Sequence, residues 1–255
     1  MILAIDVGNT NTVIGVFNDK DLLVDWRIAT DQYKTADEYG MLFFDLFNYN
    51  DLEADDIERI IISCVVPSVV NALEEIAIKY FGVEPLIVGP GIKTGMDIKM
   101  ENPKEVGADR IVNAVAAYNL YGGPVIVVDF GTATTFCLIS KQGNYLGGAI
   151  APGIDISMEA LFSYADKLPK VELEKPKNVI GKNTLDSLKA GIIYGAVGQV
   201  DGVVRKIKTT ELDQKAEVVA TGGLADLVSK ESEEIDRINS LLTLQGLRMV
   251  AELNS

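Results

Sequence analysis

One sequence pattern occurs twice in this 255-residue chain, and it constrains the fold more than any other feature. Residues 2–16 read ILAIDVGNTNTVIGV, and residues 125–139 read VIVVDFGTATTFCLI, in the same frame at an offset of 123 residues. Each copy has four apolar residues, an Asp, one residue, a Gly, a small polar run and a second apolar stretch. That is a strand, a tight turn and a second strand. Each copy continues with a polar turn, at 18–21 and 141–144, and a third strand, over 22–30 and 145–150. Further on, each half has an apolar strand that meets a helix start, IIISCVVPS in the first and EVVATGGLAD in the second. The period is too long for a solenoid, so it predicts two similar α/β domains facing each other. Gly122-Gly123-Pro124 marks the expected boundary, giving domains 1–122 and 123–255.

The remaining segments read as helices around these strands. Thr35 caps a helix over 35–47, Glu38 completes a capping box, and Tyr39, Leu42, Phe43, Leu46 and Phe47 share one face. Further helices are expected from Pro67 to about residue 81, over 107–121, over 155–164 and over 239–253, with a polar surface loop at 168–181. A long helix over 184–207 carries Gly191, Gly195, Gly198 and Gly202. Each glycine costs a helix about 1 kcal/mol, which close approach to another helix would offset, internally or across a dimer.

Composition removes whole classes of chemistry. With 48% hydrophobic and 24% charged residues the chain is globular. A net charge of −14 disfavours nucleic acid and anionic membrane as partners. There is no histidine, hence no imidazole base and no His-bound zinc. Cys64 and Cys137 lie in apolar runs and read as buried reduced thiols of a cytoplasmic protein. The chain shows no signal-peptide pattern at its start and no apolar stretch long enough to span a bilayer.

The chemistry left belongs to carboxylates, hydroxyls, backbone amides, Lys and Arg, and a hard cation. A single Asp-x-Gly turn is most often just a hairpin, but two copies in a duplicated frame point to phosphate binding. Asp6 and Asp129 facing one another would repel, and Mg²⁺ with a nucleotide phosphate between them resolves the conflict. No G-x-x-x-x-G-K-[ST] occurs, so this is not a Walker A site. Ala220-Thr221-Gly222-Gly223-Leu224 offers small residues for a base or ribose, or is only a strand-to-helix turn. Asp109 either caps a helix or serves as a carboxylate base, with Arg110 and the helix start holding a substrate anion. Thr184 reads as an N-cap whose hydroxyl can still reach a ligand.

Taken together, these residues resemble the type III pantothenate kinases of the acetate kinase, sugar kinase and actin superfamily. The likeness covers essentially the whole chain. It lies in Asp6-Val7-Gly8-Asn9-Thr10, Asn102-Pro103-x-Glu105-Val106-Gly107-Ala108-Asp109-Arg110 with Asn113, Asp129-Phe130-Gly131-Thr132-Ala133-Thr134, Gly147-Gly148-x-Ile150-x-Pro152-Gly153 and Asn183-Thr184. The resemblance implies two ribonuclease-H-like (actin-type) domains, each a mixed sheet with flanking helices. It implies ATP-dependent phosphorylation of pantothenate, the first step of coenzyme A synthesis, by a homodimer. It implies that Asp6, Val7, Gly8, Asn9, Thr10, Asn11, Thr12 and Val13 form the first phosphate loop, with Asp6 near Mg²⁺. Asp109 would accept the pantothenate hydroxyl proton, and Gly107, Ala108, Asp109 and Arg110 would contact pantothenate. Asp129 would hold K⁺ or NH₄⁺, Thr132 would meet ATP phosphate and Thr184 would touch substrate. Two positions depart from the family: Met100 stands where members usually carry the Tyr of Tyr-x-Asn-Pro, and Val13 replaces a Lys found in some. The rival readings are another small-molecule kinase of the superfamily and a catalytically silent regulatory homologue.

Overall fold

A computed structural model describes residues 1–165, 168–212 and 215–255. The chain forms two compact units, each built on a five-stranded mixed sheet. Unit 1 comprises Met1–Met96, Glu101–Ala116 and Leu242–Ser255, and unit 2 comprises Asp97–Met100 and Ala117–Leu241.

In unit 1, β1 (Ile2–Val7), β2 (Asn11–Asn18) and β3 (Asp21–Ala29) make an antiparallel meander. The strands β4 (Arg59–Cys64) and β5 (Leu86–Ile87) extend the other side of β1 in parallel, for an order β3-β2-β1-β4-β5. The capping box expected at Thr35 is present: its hydroxyl accepts from the Glu38 N–H, and its own N–H donates to the Glu38 carboxylate. It starts α1 (Ala36–Tyr49), and Pro67 starts α2 (Pro67–Phe81). Tyr39, Phe43 and Phe47 of α1 and Val69, Leu73 and Ile76 of α2 bury one face of the sheet, against Leu3, Ile5, Ile14, Val16, Ile60 and Ile62. The chain's last helix, α7 (Leu242–Leu253), also packs on β1, β2 and β4.

Unit 2 repeats the plan. Its strands β6 (Val125–Phe130), β7 (Ala133–Ile139), β8 (Tyr145–Pro152), β9 (Glu217–Gly222) and β10 (Arg237–Ile238) run in the order β10-β9-β6-β7-β8. Read from the other edge, this is the order of unit 1, and again the first three strands are antiparallel and the last two join in parallel. The duplication expected from the sequence is therefore a duplication of topology. Val197, Val200 and Val204 of α5 (Thr184–Glu211) bury Ile126, Val128, Phe136, Leu138, Val218 and Ala220. The helices α4 (Ile154–Tyr164) and α6 (Ala225–Ser229) complete the unit.

Several boundaries differ from the sequence reading. The contacts divide within α3 (Ala108–Tyr121), between Ala116 and Ala117, rather than after residue 122, and they return α7 to unit 1. Helix 239–253 starts later, at Leu242, because Arg237–Ile238 pairs with β9. The N-cap of α5 is Asn183, whose side chain accepts from the Asp186 N–H at 2.8 Å; Thr184 is the first helical residue. Cys137 is buried, whereas Cys64, at the end of β4, is half-buried. Residues 168–181 hold no helix or strand, as expected of a loop.

Candidate active site

Asp6 and Asp129 occupy equivalent places, each the penultimate residue of its unit's first strand and each half-buried. In unit 1 the turn after Asp6 is closed by the Gly8 N–H donating to the Asn11 carbonyl at 3.0 Å. Asn9, Thr10 and Asn11 are exposed, Thr12 is buried and Val13 half-buried. The turn has a partner that the sequence did not reveal. Thr30, just past β3, donates its N–H to the Thr10 carbonyl at 3.0 Å and its hydroxyl to the Gly8 carbonyl at 2.8 Å. The Thr12 and Thr30 hydroxyls lie 2.9 Å apart. Because the Thr30 proton goes to a carbonyl, which only accepts, Thr12 is the donor in that pair. Beside Asp6, burial pushes the Cys64 thiol up from its ordinary value, and the Asp6 charge adds to the rise.

The second turn is one residue tighter. In unit 1 the residue after the Asp, Val7, pairs with Thr12; in unit 2 the corresponding Phe130 pairs with Thr134, not with Thr135 as the sequence offset would give. Thr12 and Thr134 are accordingly the buried pair, at 1% and 2% exposure, while Thr135 is half-buried. The Gly131 N–H donates to the Ala133 carbonyl, and the Gly153 N–H donates to the Thr132 carbonyl, both at 3.1 Å. Thr132 is exposed at the tip. Gly222, which ends β9, lies directly beside Asp129: a Cβ there would sit 2.6 Å from the Asp129 Oδ1. The Ala220–Leu224 segment thus supports Asp129 from the neighbouring strand, with Thr221 buried and Gly223 exposed.

Asp109 stands in the first turn of α3, within unit 1. The approach to it is a self-capped 3₁₀ turn over Pro103–Glu105, in which the Asn102 side chain accepts from the Lys104 N–H and donates to the Glu105 carboxylate. The buried Val106 then anchors Gly107, whose carbonyl accepts the first helical bond from the Ile111 N–H. The Asp109 carboxylate folds back over Gly107, so that a Cβ on residue 107 would lie 2.5 Å from Oδ1. Gly107, Ala108, Asp109 and Arg110 are all half-buried. Asn113, one turn on, is buried and accepts from the Thr243 hydroxyl of α7 at 2.8 Å.

The structure therefore brings the first turn and the Asp109 helix start into unit 1, and Asp129, Thr132, Met100 and Thr184 into unit 2. Met100 is half-buried and packs on Gly147 of β8, where a Cβ would come within 3.1 Å of its sulfur. Thr184 is exposed, its hydroxyl released from capping by Asn183. Among the described residues no three His, Cys, Asp or Glu side chains cluster as a metal cage, and no helix is long and apolar enough to cross a membrane. Magnesium bound to a nucleotide needs no such cage, since it keeps waters and takes phosphate oxygens with one or two carboxylates. Asp6, followed by the exposed turn residues Asn9 and Thr10, and Asp129, followed by the exposed Gly131 and Thr132, are half-buried carboxylates of the type that hard cations take.

Several solved structures share this fold at low sequence identity. A Campylobacter jejuni protein described as a Baf family transcriptional activator matches with a TM-score of 0.62 at 19% identity, over 99% of this chain and 98% of that one. A Sinorhizobium meliloti protein described as a 2-dehydro-3-deoxygalactonokinase matches with a TM-score of 0.61 at 11% identity, over 100% and 99%. The ethanolamine utilization protein EutJ of Carboxydothermus hydrogenoformans matches with a TM-score of 0.57 at 16% identity, over 97% and 89%. Descriptions this varied show that the architecture is shared and do not fix an activity. The family comparison does: the type III pantothenate kinase family matches residues 2–206. The chain belongs to that family, whose members are kinases that phosphorylate an alcohol group of pantothenate with ATP at the entry to coenzyme A synthesis.

Proposed function

We propose that this chain carries out its family's reaction with the residues singled out above. The ATP phosphates lie on the turn of Asp6, Val7, Gly8, Asn9, Thr10, Asn11, Thr12 and Val13, and Thr132 contacts them from the second turn. Asp6 holds Mg²⁺ through water or phosphate, and Asp129 holds the monovalent cation, K⁺ or NH₄⁺. When bound, these cations offset charge on the transferring phosphoryl group. Pantothenate is held by Gly107, Ala108, Asp109 and Arg110, with Thr184 and Met100 as further contacts. Asp109 orients the attacking hydroxyl and accepts its proton as the oxygen bonds to phosphorus and the bond to ADP breaks.

The observation that carries this reading is the Asp109 carboxylate, held over a residue that has no side chain, at the first turn of a helix. A carboxylate at a helix start can cap the helix or take a hydroxyl proton, and the family's reaction calls for the second. The test is Asp109→Asn. Turnover of ATP plus pantothenate, followed by mass detection of phosphopantothenate, is expected to vanish, while the ATP Kd changes by less than about twofold. Unchanged turnover would remove Asp109 from the chemistry. Full activity in Na⁺ alone would remove the cation role from Asp129.

The homodimer belongs to the same proposal. A Cβ placed on Gly191, Gly195, Gly198 or Gly202 of α5 meets no described atom within 4 Å, so internal packing does not explain these glycines. Beside them a groove of about 410 Å³ runs between α4 and α5, with Ile154, Leu161, Leu188 and Ile192 among its walls. A second copy seated there accounts for both. Two cysteines that form no disulfide, together with the substrates of the reaction, suit a cytoplasmic setting.

A further inference from the structure

We infer that Thr30 is a positioning residue for nucleotide binding: its hydroxyl and its N–H together set the shape of the first phosphate turn. The inference rests on the proposal that the ATP phosphates occupy this turn.

The two units supply an internal comparison. Gly153 follows Thr30 by 123 residues, the offset of the repeat, and each stands just after the third strand of its unit. Each donates its N–H to the corresponding carbonyl of its turn, Thr30 to Thr10 and Gly153 to Thr132. The turns themselves differ by one residue. In the tighter second turn there is no room for a side chain, since a Cβ on Gly153 would lie 2.3 Å from the Thr132 oxygen and 2.5 Å from the Gly131 oxygen. In the longer first turn the same position carries a threonine, and its hydroxyl reaches the Gly8 carbonyl at 2.8 Å. The side chain thus takes up the extra residue, and the Thr12 hydroxyl completes the network as donor to Thr30.

This network has a consequence for phosphate. The peptide bond between Gly8 and Asn9 is trans, so its C=O and N–H point in opposite directions. With the Gly8 oxygen drawn to Thr30, the Asn9 N–H points away from Thr30, on an exposed residue. An amide held in this direction can donate to a phosphate oxygen without reorganising. Without the hydroxyl, the Gly8 carbonyl loses a partner and the peptide is free to rotate.

The experiment compares Thr30→Val, Thr30→Ser and Asp6→Asn with the wild-type full chain. The ATP Kd is measured by calorimetry, and KM for ATP and for pantothenate by initial rates. Thr30→Val is expected to raise both ATP constants by about five- to tenfold, the usual weight of one hydrogen bond, with the pantothenate KM unchanged. Thr30→Ser is expected to restore them. Should the valine variant not fold, Thr30→Ala, which adds no bulk, carries the same expectation. Wild-type ATP constants in the valine or alanine variant overturn the inference, and so does a serine variant that behaves like valine. A loss confined to Tm and kcat, with both KM values intact, also overturns it, because that is what a merely structural threonine would give. Asp6→Asn separates the two levels. If it too leaves ATP binding and turnover intact, the ATP reading of the turn fails. If it weakens them while Thr30→Val does not, only the role of Thr30 fails.

Discussion

At Gly222 the fold accepts no substituent larger than hydrogen. The residue has φ of +92°, and a Cβ would meet the Phe130 carbonyl at 2.5 Å and the Asp129 carboxylate at 2.6 Å. Gly222→Ala therefore adds a clash to a backbone conformation that L-residues avoid, and a loss of about 1–3 kcal/mol is expected in denaturant unfolding. If Asp129 holds the monovalent cation, the variant also raises the K⁺ concentration that half-activates the enzyme. A normal K⁺ titration in a destabilised Gly222→Ala would separate Asp129 from that role. The two Asp-x-Gly turns were legible because an Asp closing an apolar strand, followed by Gly, is a local signal. The contacts that Thr30 and Gly153 make with their turns, and the Thr12–Thr134 equivalence, were not legible. Each depends on strand register, and a one-residue change in turn length alters register without disturbing the repeat.

Whole elements were read well where local chemistry decides them. Thr35 and Glu38 announced the start of α1, Pro67 that of α2, and Gly122 the end of α3. The strand β10 was missed because two residues carry no period; β9 beside them makes the strand. Asn183 and Thr184 are both good caps by residue type, and only geometry gives the role to Asn183. The glycines of α5 show what an element's sequence can reveal and what it cannot. It showed that four helix-weakening residues need a reason, and the structure locates their open faces. Gly195→Ala should stabilise an isolated chain by about 0.5–1 kcal/mol through helix propensity. If α5 is the contact between copies, the added methyl instead weakens association. Sedimentation equilibrium alongside thermal unfolding distinguishes these outcomes. A variant that is more stable and still fully dimeric would place the interface elsewhere.

At the scale of the whole molecule, the repeat predicted two similar domains, but neither the strand order within their sheets nor the place of the last helix. The final helix follows the second copy in sequence, yet it packs in unit 1. Nothing local announces this, because an amphipathic helix does not specify the sheet it covers. Its seat is tight. Leu244 of α7 presses on Gly15 of β2, and a Cβ on Gly246 would lie 2.2 Å from the Val112 carbonyl of α3. Asn254 clamps Lys93 through two hydrogen bonds, of 3.0 Å to its N–H and 2.8 Å to its carbonyl. Gly246→Val should therefore force α7 off α3, at a cost of more than about 3 kcal/mol to unit 1. The chain supplies its own reporter, since its single tryptophan, Trp26, lies in unit 1, stacked on Phe47 with ring centroids 5.7 Å apart. Tryptophan fluorescence follows unit 1 alone, whereas far-UV circular dichroism follows both units. In Gly246→Val the fluorescence transition is expected at lower denaturant than in the wild type, ahead of part of the dichroism change. A fluorescence midpoint that stays in place would mean that unit 1 holds its core without the close seating of α7.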